Sequence, residues 1–188
     1  PPLPWRTLVP LAAVSAMLGV LFGAAEVTPI AFADEQGSRA WAGPLLALWA
    51  LGSLVAGVVS GAMIWRAGPA TRLKWGAFAM AAAMAPLPLV GSVPVMGLVL
   101  LVGGAAIAPT MIATMSLTEA TMPRSRLTEG MSVVQTGLVA GVAPGATLSG
   151  LVVDAAGAST AYLVPLGAGL LAVLAAQTIT SGAGRAGS

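Results

Sequence analysis

The sequence contains no cysteine and no histidine in 188 residues. That excludes disulfides, Cys/His metal sites, cysteine nucleophiles and Ser–His catalytic pairs, and no metal or other cofactor is expected. Charge is scarce too: 7% of residues are Asp, Glu, Lys or Arg, against about 25% in a soluble domain. So few ionised groups cannot clothe a folded surface that faces water. What is present points the same way. Hydrophobic residues make up 57% of the chain and glycine contributes 24 residues, and the mean hydropathy is +0.94. The glycines lie inside apolar runs, where membrane helices use them for close packing, and the hydrophobicity excludes disorder. The solvent for most of the chain is lipid. The sequence begins at Pro1 rather than Met, as expected of a processed product or a piece of a longer protein. The first apolar run is too long for a signal peptide, and further runs follow it.

Six apolar segments are near the ~20 residues that cross a bilayer core: 8–32, 43–64, 73–90, 95–117, 130–153 and 162–179. Barrel strands would be about 10 residues long with alternating polarity. These runs are longer and apolar all round, so they read as helices, the other structure that satisfies its own backbone in lipid. Lys and Arg in short loops set orientation. With six spans, Arg6, Arg66, Arg72, Lys74, Arg124, Arg126 and Arg185 share one side, and Arg39 lies on the other. Both termini are therefore expected in the cytoplasm, at the cytoplasmic membrane. Trp5, Trp65 and Trp75 fall at the cytoplasmic ends of spans, and Trp41 and Tyr162 at outer ends, as interfacial anchors do. The formal charge of +2 lies mostly in these loops. The expected partner is the bilayer, and no nucleic-acid partner is expected.

The chain is organised around GAAEVTP, residues 23–29. Glu26 is the one ionisable residue well inside an apolar run. The pattern returns as GGAAIAP at 103–109, with Ala106 in place of Glu26, and LVAGV occurs at both 54–58 and 138–142. Spans one to three therefore resemble spans four to six. Three is an odd number, so the second copy is inverted in the membrane, an arrangement found in secondary transporters. The expected fold is all-α and polytopic, with six transmembrane helices in two inverted three-helix repeats. The expected organisation is an N-terminal cytoplasmic segment at 1–7, a bundle at 8–180 (repeats about 8–91 and 94–180), and a cytoplasmic tail at 181–188.

An acid within a membrane helix is costly and points to function. Glu26 is expected to be neutralised by a proton, a cation or an Arg partner, and to couple transport to protons. The competing reading places it near the outer surface, wetted and structural. Thr28, Ser132, Gln135 and Thr136 are the other polar groups at membrane depth for lining a cavity. Met111, Thr114 and Met115 add a pliable wall. Pro29, Pro109 and Pro144 each remove a backbone donor and bend or break a helix. Gly57 with Gly61, and Gly141 with Gly145, place small residues on one face. These are packing residues, and in a sharper reading spans two and five slide against each other along them. Glu119, Arg124, Arg126 and Glu129 form either a solvated loop or a locking charge network.

Two inverted three-helix repeats with a basic loop after the second span resemble half of a major facilitator superfamily transporter. That family has a signature of Gly, three residues, Asp-Arg, one residue, Gly and a basic pair. The present sequence reads GAMIWRAGPA at 61–70. Gly61, Arg66 and Gly68 match, Trp65 stands where the acid would be, and Arg72 lies near the missing basic pair. A degraded copy of this kind is similar to the family's C-terminal half, as is Gly150 with Asp154 and Gly157 at the outer end of span five. Residues 23–34 and 127–130 resemble actinobacterial drug-efflux members. The resemblance implies that spans one and four line a cavity, that spans two and five flank an N-terminal six-helix half, and that spans three and six support from outside. It gives Arg66, Arg72 and Asp154 gating or topological roles, and carries over no charge-relay role at Trp65.

The leading expectation is the C-terminal half of a secondary active transporter. It would move a small molecule by alternating access, with proton-coupled efflux of an amphiphile. The alternative is a non-transporting six-helix module, or a truncated remnant that needs a partner half. An enzyme is not expected, because an intramembrane hydrolase needs a nucleophile with a base or a metal.

Overall fold

A computed structural model describes residues 2–179, and all the regular structure among them is helical. The expected tail at 181–188, with Arg185, lies outside the described residues. Nine α-helices occur there: α1 (Trp5–Ala25), α2 (Thr28–Glu35), α3 (Ala42–Ala62), α4 (Pro69–Met84), α5 (Val93–Gly104), α6 (Ile107–Thr121), α7 (Leu127–Ala156), α8 (Ala158–Ala161) and α9 (Leu163–Gln177). They make six membrane-scale rods, because α1 continues into α2, α5 into α6 and α8 into α9. Five of these are long and apolar enough to cross a bilayer. The sixth, α4, has 16 residues, about 24 Å at helical rise, and a 3-10 turn at Leu87–Leu89 carries the chain further. The chain is thus a multi-pass membrane protein.

Helix contacts follow a two-fold pattern. The first rod packs on α7, and α3 packs on α5 and α6. The first rod also packs on α9, as α4 packs on α6, while α4 packs on α9. Exchanging the two three-helix groups maps every one of these pairs onto another or onto itself, as expected for the inverted repeats. Small residues make the closest approaches, because in lipid helices associate by packing rather than by hydrophobic burial. A Cβ on Gly19 or Gly23 would meet the Leu138 or Val142 carbonyl of α7, and one on Gly141 or Gly145 would meet the backbone of Ala16 or Val20 in α1. The mirror contact places Gly52 of α3 on the Leu101 carbonyl and Gly104 of α5 on that of Trp49.

These contacts correct the expected sliding of spans two and five. Gly141 and Gly145 are buried against α1, not facing α3, and Gly57 approaches Ala108 of α6. Gly61 has nothing within 4 Å of its would-be Cβ and packs nothing here. The missed signal was Gly19-x-x-x-Gly23, which matches Gly141-x-x-x-Gly145 in spacing and packs on it. Pro144 does not break span five: α7 runs on for 30 residues with the proline inside it. Tyr162, expected as an interfacial anchor, is instead 1% exposed, with its ring edge-on to Phe32 at 6.5 Å between centroids. Trp5, Trp41 and Trp75 are exposed near helix starts, and Trp65 just after the end of α3, as the anchor reading requires.

Candidate substrate and coupling site

The stretch at 23–29 is a helix break. Pro29 has no N–H to give the Ala25 carbonyl. The turn before it tightens: Glu26 N–H donates to the Phe22 and Gly23 carbonyls at 3.2 and 3.3 Å, and Val27 N–H to Ala24 at 3.0 Å. The i→i+3 bonds are those of a 3-10 turn. Thr28 then caps the fault by donating its hydroxyl to the Ala24 carbonyl at 2.9 Å, and α2 restarts with Pro29 in its first turn, where a missing N–H costs nothing. The second copy repeats the device. Ala106 N–H donates to Gly103 at 3.2 Å, Pro109 cannot serve Ala105, and the Thr110 hydroxyl donates to Ala106 at 2.7 Å.

Glu26 sits in the first break with its side chain exposed, and it has no ion pair or side-chain hydrogen bond among the described residues. No Arg partner meets it. Thr28 does not join it. It is buried, faces the Tyr162 hydroxyl, and lines a void of about 20 Å³ with Leu21, Pro29 and Tyr162 behind the break. The Tyr162 hydroxyl and the Ser149 hydroxyl on α7 are fully buried without a geometrically formed hydrogen bond. Sequence reasoning assigned neither a part beside the break.

Ser132, Gln135 and Thr136 come together. They lie on one exposed face of α7, and with Val139 and Ala140 they line an open groove of about 480 Å³. The opposite face, with Val134, Gly141, Gly145 and Ser149, is buried. Helices α1 and α7 run parallel, since Gly19 meets Leu138 and Gly23 meets Val142. Glu26 is therefore level with about Gly145, and Gln135 lies some ten residues lower, about 15 Å along the axis. The structure does not gather the sequence-expected polar groups into one cluster. Met111 is half-buried on α6 and packs against the core. Thr114 is buried with Thr110 and Thr118, each hydroxyl serving the carbonyl four residues back at 2.7–2.8 Å. This spacing-of-four hydroxyl ladder was legible in the sequence and was missed.

The loop residues take defined places. Trp65, in the position of the family's acid, donates its indole N–H to the Ser60 carbonyl at 2.8 Å, and its ring carries the Arg72 guanidinium at 4.6 Å. Arg66 and Gly68 are exposed. Arg126 pairs with Glu129 three residues on, through Nη2 and Nε at 2.6 and 2.9 Å. Arg124 and Glu119 are exposed, which favours the solvated-loop reading. Asp154 is exposed one turn before Gly157, whose φ of +87° ends α7 in a conformation that favours glycine. Glu35, read only as a loop acid, accepts the Ala158 N–H at 2.8 Å and so ties the end of α2 to the start of α8.

No protein-family model and no curated protein matches the sequence. The fold does have a counterpart. A crystal structure of a mutant peptide transporter, POT, in complex with alafosfalin matches with a TM-score of 0.75 at 13% identity, covering 90% of this chain and 37% of that one. The chain therefore spans little more than a third of the transporter's length. At this identity the likeness establishes the fold alone: six helices arranged as in a major facilitator transporter.

Proposed function

We propose that the chain is the C-terminal half of a secondary active transporter. It moves a small molecule by alternating access, with proton-coupled efflux of an amphiphile as its mode. The observation that carries this reading is Glu26, an exposed carboxyl without a partner at a broken helix inside an apolar span. Broken helices with a polar group at the break are a recurring site of binding and coupling in transporters. Glu26 is the proton carrier in this reading. Ser132, Gln135 and Thr136 line the path toward the basic face, and Met111 and Thr28 support the wall. One further observation favours a missing N-terminal half. Only 17% of the apolar windows of α3 and of α7 is buried, against 56% in the first rod, and these are the helices that would flank such a partner. We assign the basic face to the cytoplasm on the positive-inside rule, with repeats of about 8–91 and 94–180, and place Arg66, Arg72 and Asp154 in gating or topological roles.

The experiment is transport in everted vesicles from cells expressing the full gene product, with an imposed proton gradient. Ethidium serves as the amphiphile and dialanine as a peptide probe. Gradient-driven ethidium movement that is lost in Glu26→Gln supports the proposal. Movement unchanged in Glu26→Gln removes the proton role. Movement of dialanine alone replaces the substrate class. If correctly inserted protein moves neither probe, the non-transporting module is favoured.

A further inference from the structure

Three cations follow one another where α3 ends and α4 begins: Arg66, Arg72 and Lys74. None has a carboxylate partner among the described residues, in contrast to Arg39 and Arg126, which pair with Asp34 and Glu129. No acid lies between Glu35 and Glu119 in the sequence. Lys74 is the sixth residue of α4, roughly 8 Å beyond its start at helical rise. On a helix of only 16 residues, that places an ammonium group near the hydrocarbon boundary, where its stem must snorkel outward.

Two lateral grooves meet at this point, one on each side of Trp75. The first, of about 320 Å³, starts at Trp65 and Arg72 and runs along Gly76 and Ala79 to Ala106 and Pro109 at the second helix break. The second, of about 350 Å³, is lined by Thr71, Lys74, Trp75, Phe78 and Gln177 between α4 and α9. Their linings on α4 are two adjacent stripes of i, i+3, i+4 and i+7, one beginning at Thr71 and one at Arg72. Each groove has a cation at its basic-face end; the first then runs over an apolar floor to the second helix break, and the second passes over Trp75 and Phe78 with Gln177 on its α9 wall. Trp75 and Phe78 are 66% and 56% exposed and meet edge to face at 6.1 Å. Trp75 divides the two grooves and Phe78 lines the second, at the depth where tryptophan prefers the interface.

We propose that this junction is a binding site for an anionic phospholipid. Arg72 and Lys74 hold the headgroup phosphate from either side of Trp75. The Trp65 ring fixes the Arg72 guanidinium by its face and leaves its edge N–H groups free for phosphate oxygens. One acyl chain lies in the Gly76–Ala79 groove and ends against the α5–α6 break, and the other follows the Phe78 groove toward α9. Basic pockets between transmembrane helices recognise anionic headgroups in this way. The inference needs only the fold and the membrane location, not the transport reading.

The test is native mass spectrometry of the detergent-purified protein with dioleoyl phosphatidylglycerol, dioleoyl phosphatidylcholine or glycerol phosphate added separately. The expected result is retention of phosphatidylglycerol at least tenfold above phosphatidylcholine, with no retention of glycerol phosphate. The double variant Arg72→Gln/Lys74→Gln lowers that preference about tenfold, whereas Arg6→Gln/Arg124→Gln, with the same loss of charge, leaves it intact. Ala79→Phe fills the first groove without touching the cations and weakens retention of the two-chain lipid. Thermal unfolding of each variant identifies any loss of fold, and Ala79→Phe then stands in for an unfolded double variant. Equal retention of the two lipids, equal loss in the control double variant, or binding of glycerol phosphate as strong as that of the lipid each overturns the proposal.

Discussion

The two helix breaks share a backbone and differ in one side chain. At 26–27 and at 105–106 the same sequence device acts: glycines before the fault, a proline three residues after Glu26 or Ala106, and a nearby threonine hydroxyl bonded to the carbonyl four residues back. In the first break that fault carries Glu26, exposed. In the second it carries Ala106, half-buried beside the Trp75 groove. The breaks also differ in what backs them. Behind the first are the void and the unpaired Tyr162 hydroxyl. After the second comes the ladder of Thr110, Thr114 and Thr118, each satisfied within α6. Symmetry of the fold therefore fixes where a rod breaks, and asymmetry of sequence decides which break carries charge. A carboxyl at both breaks would double the desolvation cost in lipid.

The sharpest way to break the comparison is at the crossings that hold both rods in place. Gly145→Leu and Gly104→Leu each drive a side chain into the facing helix backbone, so each is expected to destabilise by about 3 kcal/mol or more. Thermal unfolding in detergent measures this, and a large effect at one crossing only would refute their equivalence. Exchange of the charge comes next. Ala106→Glu places an acid in a half-buried break and is expected to cost about 2–3 kcal/mol in insertion or stability, whereas Glu26→Gln leaves the melting temperature within about 2 °C while removing the proposed gradient dependence. The caps are expected to have smaller effects. Thr28→Val and Thr110→Val each lose one side-chain bond to the carbonyl four residues back, about 1 kcal/mol each. Tyr162→Phe removes a buried hydroxyl without a formed bond and is expected to lie between neutral and about 1 kcal/mol stabilising. At the bottom of the scale, Gly61→Ala meets no neighbour and is expected to change stability by less than about 0.5 kcal/mol, in contrast to the crossing glycines.

Much of this was legible in the residues. The six spans, the breaks at 23–29 and 103–109, and the exposure of Trp5, Trp41, Trp65 and Trp75 follow from hydropathy, proline chemistry and the aromatic preference for interfaces. What misled was local reading of features whose meaning lies across the bundle. Gly141-x-x-x-Gly145 announced close packing but not its partner, which is α1 and not α3. Tyr162 had the address of an interfacial anchor, yet it is buried because Phe32 of α2 and the void at Thr28 receive its ring. Glu35 carried no local signal of its bond to Ala158, 123 positions away.

By itself the sequence determined the solvent, the helical class, the number of rods and where two of them must break. Each of these rests on periodicity, composition or a missing N–H, all of which act within a few residues. Only the tertiary structure decided which glycine faces meet, that Thr28 turns inward while Glu26 turns out, and that Gln135 lies about 15 Å from Glu26 in height. Those outcomes depend on how parallel helices register against one another, and the register is set by steric fit between distant backbones.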